Sequence, residues 1–163
     1  MRNAGFSQLC CMPKPLDIIR NTRKRLSEMA DGHTLEQLNR IPEKYNNNLA
    51  WNLGHVVASQ QVLCYELSAL PPTVDATIME KFRRGTKPEA WIAQEEIERI
   101  KKLLVTSIDQ FEKDLESGLF KIFTPFTTAM GIQLASIEDT IPTIIFHEGL
   151  HLGYMMAMRK LVG

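Results

Sequence analysis

Residues 147–154 read HEGLHLGY and place two histidines four residues apart in an apolar stretch that includes Ile144 and Ile145. At this spacing the imidazoles of His147 and His151 project from one face of a helix, about one turn apart. Two nitrogens so arranged suit a single metal ion, which histidine binds at about 2.0–2.1 Å. Imidazoles on an inward face need polar partners because an unpaired buried polar group is costly. The partner is either a metal ion or a hydrogen-bonded core network.

The same residues match the H-E-x-x-H pattern of zinc proteases, with Glu148 as general base. Such proteases take a third ligand from downstream, and the twelve residues after His151 contain no His, Asp or Glu. A metalloprotease is therefore disfavoured, and His55, on the inward side of another helix, is the candidate third ligand. Glu148 lies about 100° around the helix from His147. Its carboxylate could therefore approach a metal-bound water from the rim of the site, and this alternative is left open. The fourth histidine, His33, is assigned to a loop or the surface.

Proline-bearing loops divide the chain into helical patterns. Long helices are predicted from Pro15 to Asp31, between the caps at 46–48 and the prolines at 71–72, from Pro88 or Glu89 to Glu116 or Ser117, and from Ser136 to Val162. The second shows a buried apolar stripe, the apolar series of the third begins at Trp91, and the fourth starts with an S-x-x-D capping box. Short helical turns are predicted at 34–39 and 78–82.

The connections complete the predicted architecture. Residues 71–88 form a long link that indicates a crossover between neighbouring helices. Residues 118–135 contain strand formers and predict a small hairpin or extended loop before the last helix. The sequence thus predicts an all-α protein, a four-helix bundle with a long crossover connection. Residues 15–163 form one domain, and residues 1–14 form a flexible N-terminal arm.

Composition narrows the classes of partner. Lys+Arg and Asp+Glu balance at 19 each, so bulk charge favours neither nucleic acid nor an anionic membrane. The basic cluster Arg20, Arg23, Lys24 and Arg25 is interpreted as the solvated face of the first helix. Three cysteines without C-x-x-C spacing indicate neither a disulfide framework nor a thiolate zinc site. Without a convincing signal peptide or a membrane-spanning stretch, a cytoplasmic protein is expected.

Polar residues close to His55 in the sequence are candidates for supporting roles. The group lies within one or two helical turns and comprises Asn48, Trp51, Asn52 and Ser59. Either Asn52 or Ser59 orients a ligand or a bound water, or Asn52 is a surface or capping residue and Trp51 belongs to the core. Gly54 permits another backbone or side chain to approach closely.

Residues 47–55, NNLAWNLGH, resemble the second-helix motif of the DinB-like (DinB/YfiT) superfamily. Residues 147–154 resemble its fourth-helix H-x-x-x-H-x-G motif, and residues 159–161 continue that pattern. The resemblance extends from about Pro15 over the rest of the chain. It implies a DinB/YfiT-like bundle in which His55, His147 and His151 bind one divalent ion, zinc or nickel. Glu148 is not part of that motif.

The resemblance also implies a range of functions. Members are commonly homodimers whose ion keeps a position open for water or substrate. Characterised relatives include transferases and isomerases that use low-molecular-weight thiols, whose pKa a metal lowers. The expectation is a metal-dependent thiol S-transferase or hydrolase acting on a small molecule, or a non-catalytic, stress-associated metal-binding bundle. Leu152 and Tyr154 stand where the commonest form has Arg and Gln, so that form's substrate contacts are not carried over. No catalytic residue is assigned.

Overall fold

The computed structural model describes residues 14–163 and confirms the all-α fold class. Its helices and strands, in chain order, are α1 (Pro15–Asp31), α2 (Leu35–Asn39), α3 (Leu49–Cys64), α4 (Ala76–Phe82), α5 (Gln94–Glu116), β1 (Phe126–Thr127), β2 (Gln133–Leu134) and α6 (Ile137–Met158), with 3₁₀ turns at Glu66–Ser68 and Arg159–Leu161. The long helices α1, α3, α5 and α6 form the bundle. Apart from residue 14, the predicted N-terminal arm lies outside the described residues.

Local capping interactions begin three of the helices where the sequence predicts. The Asn48 side chain accepts a hydrogen bond from the Trp51 N–H at 2.8 Å at the start of α3. Thr34 and Gln37 form a reciprocal capping box at α2. At α6 the Asp139 carboxylate accepts from the Ser136 N–H at 3.0 Å. These bonds satisfy backbone groups that the first helical turn leaves unpaired.

Helix α3 is the central helix, and nearly all of its side chains are buried. The predicted buried stripe is confirmed, and burial extends around the rest of the helix because α3 packs against α1, α4, α5 and α6. Asn52, His55, Gln60 and Gln61 therefore lie in the core. Buried polar groups of this kind require hydrogen-bonding partners, and these partners define the site.

The start of α5 differs from the prediction, which placed it at residue 88 or 89. The Asn39 side chain pairs with both backbone groups of Ile92, donating to its carbonyl at 2.9 Å and accepting from its N–H at 2.8 Å. This pair of hydrogen bonds holds the segment before α5 out of helical conformation, so α5 begins at Gln94. Trp91 lies before the helix and is 59% exposed, so it is not part of the buried face.

The connections match the predicted pattern. Helix α4 occupies the long link between α3 and α5 and packs on α3. Strands β1 and β2 pair antiparallel, with Phe126 opposite Leu134, and confirm a small hairpin before α6. Gly131 in its turn has φ +78°, a backbone conformation that glycine favours. Among the described residues, no helix is long and apolar enough to cross a membrane.

Candidate metal centre

The packing of α3 against α6 brings together the three histidines that the sequence singles out. One ligand nitrogen from each of His55, His147 and His151 can be chosen so that all lie within 4.8 Å of one another. The ring centroids are 4.5 Å apart for the pair on α6 and 5.3 and 4.8 Å from His55 to His147 and His151. His33 is outside this cluster, with its Nδ1 2.7 Å from the Met29 carbonyl.

His55 is held by three neighbours. Its Nδ1 donates to the Phe82 carbonyl of α4 at 2.7 Å, which leaves the lone pair on Nε2. The Ser59 hydroxyl lies 3.2 Å from that Nε2. The Trp51 indole stacks on the imidazole with ring centroids 4.5 Å apart and an interplanar angle of 13°. Trp51 is buried as core, and it also fixes the plane of the candidate ligand.

Gly54 makes the contact between α3 and α4 possible. A Cβ at this position would lie 2.4 Å from Cγ of Phe82, closer than any side chain tolerates. The close approach that the sequence predicts at Gly54 is therefore confirmed, and its partner is the Phe82 ring. Because the same Phe82 residue supplies the carbonyl for His55, this glycine sets the position of a candidate ligand.

We expect Gly54→Ala to lower the free energy of unfolding by about 1–3 kcal/mol, the usual cost of overpacking a core. The gain of up to about 1 kcal/mol from helix propensity does not offset the clash with Phe82. Gly149→Ala and Gly153→Ala are matched controls because a Cβ at either helical position meets no atom within 4 Å beyond the neighbouring residues and backbone of its own helix. Urea unfolding should show these controls to be as stable as wild type or more stable. Equal destabilisation of all three variants would contradict this account of Gly54.

Asn52 holds His151 from the other side of the cluster. Its Oδ1 lies 2.8 Å from His151 Nδ1, and since an amide oxygen only accepts, the imidazole donates. Its Nδ2 donates to the Asn48 carbonyl at 2.7 Å. Asn52 is fully buried, so the predicted surface role is wrong, and its amide contacts the candidate ligand His151. The lone pair of His151 is thereby placed on Nε2.

All three imidazoles are poor proton acceptors. Burial, followed by the neighbouring His55, lowers the pKa of His147 to about 4. Burial, followed by His147 and His55, lowers the pKa of His151 to about 3. Burial also lowers the pKa of His55, against the hydrogen bond to Phe82. At neutral pH the nitrogens are free of extra protons, as ligation requires. This donor set fits a divalent ion such as zinc, with coordination positions left over.

Glu148 faces away from this cluster, into a buried ion pair with Arg23. Its carboxylate accepts from the Arg23 guanidinium at 2.7 and 3.0 Å, and both side chains are 1% exposed. Arg23 also donates to the Gln60 amide oxygen, the Ser107 hydroxyl and the Leu104 carbonyl. The prediction that Arg23 lies on a solvated face is therefore wrong. The prediction that Glu148 approaches a metal-bound water from the rim of the histidine cluster is also wrong. The position of Arg23 on its helix predicted exposure to solvent, but its guanidinium pairs with the Glu148 carboxylate of α6 in the core.

A cavity of about 320 Å³ adjoins His55 and His147. Its walls are mostly apolar and come from α3, the hairpin and α6, with contributions from Val62, Phe126, Met130, Ile132, Phe146 and Leu150. Besides the histidines, its polar lining residues are Ser59, Thr128, Thr143 and Arg84. Sequence reasoning missed this cavity and Arg84, because no local pattern marks where a hairpin meets two distant helices.

Comparisons with known proteins agree with this architecture. A family model described as the DinB superfamily matches residues 18–155. A solved structure described as a conserved protein from Enterococcus faecalis superposes with a TM-score of 0.62, at 15% identity, covering 91% of this chain and 94% of that one. At this identity the likeness concerns the fold. No curated protein matches the chain.

Proposed function

The chain belongs to the DinB superfamily, and from this membership and its histidine geometry we propose that it is a metal-dependent enzyme with His55, His147 and His151 as ligands. The observation that carries the proposal is the orientation of two imidazoles by the Phe82 carbonyl and Asn52, which places the lone pair of both His55 and His151 on Nε2. Second partners of this kind are typical of metal-binding histidines. Zinc or nickel suits three neutral imidazoles.

We propose thiol S-transfer to a small electrophile as the reaction, with hydrolysis as a related activity. A divalent ion in the cluster supplies a Lewis acid that lowers the pKa of a thiol or a water molecule. The volume of the neighbouring cavity favours a small molecule as the reacting partner. A low-molecular-weight thiol as co-substrate requires a reducing compartment, so we place the protein in the cytoplasm.

A second candidate function is a non-catalytic metal-binding bundle, as in a stress-associated protein. One observation favours it: the only carboxylate next to the histidines in sequence, Glu148, is committed to Arg23 in the core. No acidic side chain of the described residues joins the histidine cluster as a general base. Fast removal of the metal by chelators supports the enzyme, whereas metal that neither chelators nor thiols reach supports the binding protein.

We also propose that the protein is a homodimer. Several large apolar side chains of α6 remain exposed in the single chain, among them Leu150, Tyr154 and Met156. A second copy would cover them, and a symmetric helix face is a common way for homodimers to form. Light scattering across a concentration series tests this, and a monomer at all concentrations would exclude it.

The experiment that tests the proposed function combines metal analysis with a transfer assay. Protein purified after growth with zinc or nickel should contain about one ion per chain by elemental analysis. With a small thiol and a chlorinated aromatic, a carbon–sulfur bond forms, the carbon–chlorine bond breaks, and chloride and the thiol proton leave to solvent. Turnover should require the metal. Protein that contains no metal under any supply would refute the site, and metal-loaded protein without turnover on a panel of electrophiles would favour the binding function.

We expect Asn52→Ala to lower zinc affinity by roughly 10- to 100-fold, the usual effect of removing a group that orients a histidine ligand. Without the amide oxygen, the His151 ring is free to rotate and its proton can move to Nε2. Asn39→Ala is the matched control because it removes buried amide hydrogen bonds to Ile92, away from the histidines. Competition with a chromogenic chelator gives the affinities. Equal effects of the two variants would mean that Asn52 acts only through stability.

A further inference from the structure

The cavity beside the histidines has an uneven distribution of charge. Arg84, in the loop after α4, is the one charged side chain among its described lining residues, apart from the titratable histidines, and none of those residues is Asp or Glu. Arg84 is exposed and forms no ion pair with another described residue. Its neighbour Arg83 differs, since it pairs with Glu66 at 3.3 Å and does not line the cavity.

The apolar part of the lining sets the other requirement. Side chains such as Phe126, Ile132, Phe146 and Leu150 leave room for a compact hydrocarbon or aromatic body. The volume of about 320 Å³ is at the lower end of the range for small-molecule pockets, about 300–1,000 Å³. An uncharged apolar molecule would make no use of the Arg84 guanidinium, and a strongly polar molecule would lose its hydration against the apolar walls.

We propose that this cavity binds a compact, largely apolar molecule that carries one negatively charged group, such as an arylalkyl carboxylate, with the charge paired to Arg84. This inference rests on the proposed function, because it takes the cavity to be the substrate site of the S-transfer reaction. It narrows the class of electrophilic substrate to organic anions. A guanidinium suits this role because its planar donors match both oxygens of a carboxylate. Any cation held by the histidines adds to the same preference for negative charge.

Calorimetric titration of the zinc-loaded full chain with a matched set of probes tests the charge preference. The set is 4-phenylbutyrate, its uncharged amide, and acetate. We expect the carboxylate to bind at least about fivefold more tightly than the amide, the size of effect that one partly exposed ionic hydrogen bond supports. Acetate, which lacks the apolar body, should bind more weakly than 4-phenylbutyrate. Equal binding of carboxylate and amide, or no binding of either, would overturn the proposal.

Two neighbouring substitutions locate the effect. Arg84→Gln should bring the affinity for the carboxylate closer to that for the amide and leave the amide unchanged, whereas Arg83→Gln should behave as wild type. Equal loss in both variants would overturn the assignment to Arg84. Elemental analysis of the same samples separates this inference from the metal site. If zinc is absent, the proposed function fails, and the titrations on the metal-free chain still decide the role of Arg84.

Discussion

His55→Ala is expected to lower the affinity of the protein for zinc by roughly two to three orders of magnitude. Zinc binding to a structural site contributes about 10–16 kcal/mol across four ligands, so one imidazole accounts for roughly 100- to 1,000-fold in affinity. His55 is also the one candidate ligand on α3, so its loss leaves just the candidate pair on α6. Competition with a chromogenic chelator at constant pH measures the change.

A matched control and an independent readout sharpen this test. His33→Ala removes the remaining histidine, which lies outside the cluster, and should keep wild-type affinity. Zinc at 100 times its dissociation constant should stabilise wild type by about 2.7 kcal/mol, because the ion binds only the folded state. His55→Ala should show little of this stabilisation at the same concentration. If His55→Ala retained both the affinity and the stabilisation, His55 would not be a ligand.

Breaking the buried ion pair is expected to produce the largest loss of stability in this protein. Glu148→Ala should lower the free energy of unfolding by about 3–5 kcal/mol, because it leaves the Arg23 charge in the core without its carboxylate. Both side chains are almost completely buried, so water cannot replace the lost partner. Asp109→Ala is a suitable control. It removes one partner of Arg20 in a partly exposed pair, and exposed pairs contribute about 0–1 kcal/mol.

A double variant separates charge from packing. Arg23→Met with Glu148→Leu replaces both charges with apolar side chains and should recover much of the stability that Glu148→Ala loses. Because Glu148 faces Arg23 and not the histidines, this double variant should also bind zinc with nearly wild-type affinity. A double variant as unstable as Glu148→Ala would show that the charge left behind is not the cause. Loss of zinc affinity in the stable double variant would show that Glu148 contributes to metal binding.

The helix boundaries illustrate which features of the fold can be predicted. Caps such as Asn48, and the Ser136–Asp139 box, bond residues three positions apart, so the sequence contains both partners in one short window. The start of α5 escaped prediction because it depends on Asn39, which is 53 residues away from the backbone it holds. The helical pattern of the residues around Trp91 does not indicate the contact between Asn39 and the Ile92 backbone.

The histidines belong to the predictable part. Spacing alone placed His147 and His151 on one face of a helix. The inward position of His55 on another helix made it the candidate third ligand, and the family resemblance supported that choice. Whether Asn52 and Glu148 serve this cluster was decided by tertiary packing. Asn52 is turned toward His151 because α3 is enclosed on all sides and its amide has no solvent to face.

The stretch at 147–154 thus determined by itself that two imidazoles share a helix face, since a helical repeat is a local property of the chain. It did not determine what the intervening glutamate does. Glu148 meets Arg23 across 125 residues of sequence, and Arg84 meets the hairpin and α6 at the cavity. Such pairings depend on how separate helices approach in space. They leave no periodic signal in the sequence, so only the tertiary structure distinguishes a buried ion pair from a residue at a metal site.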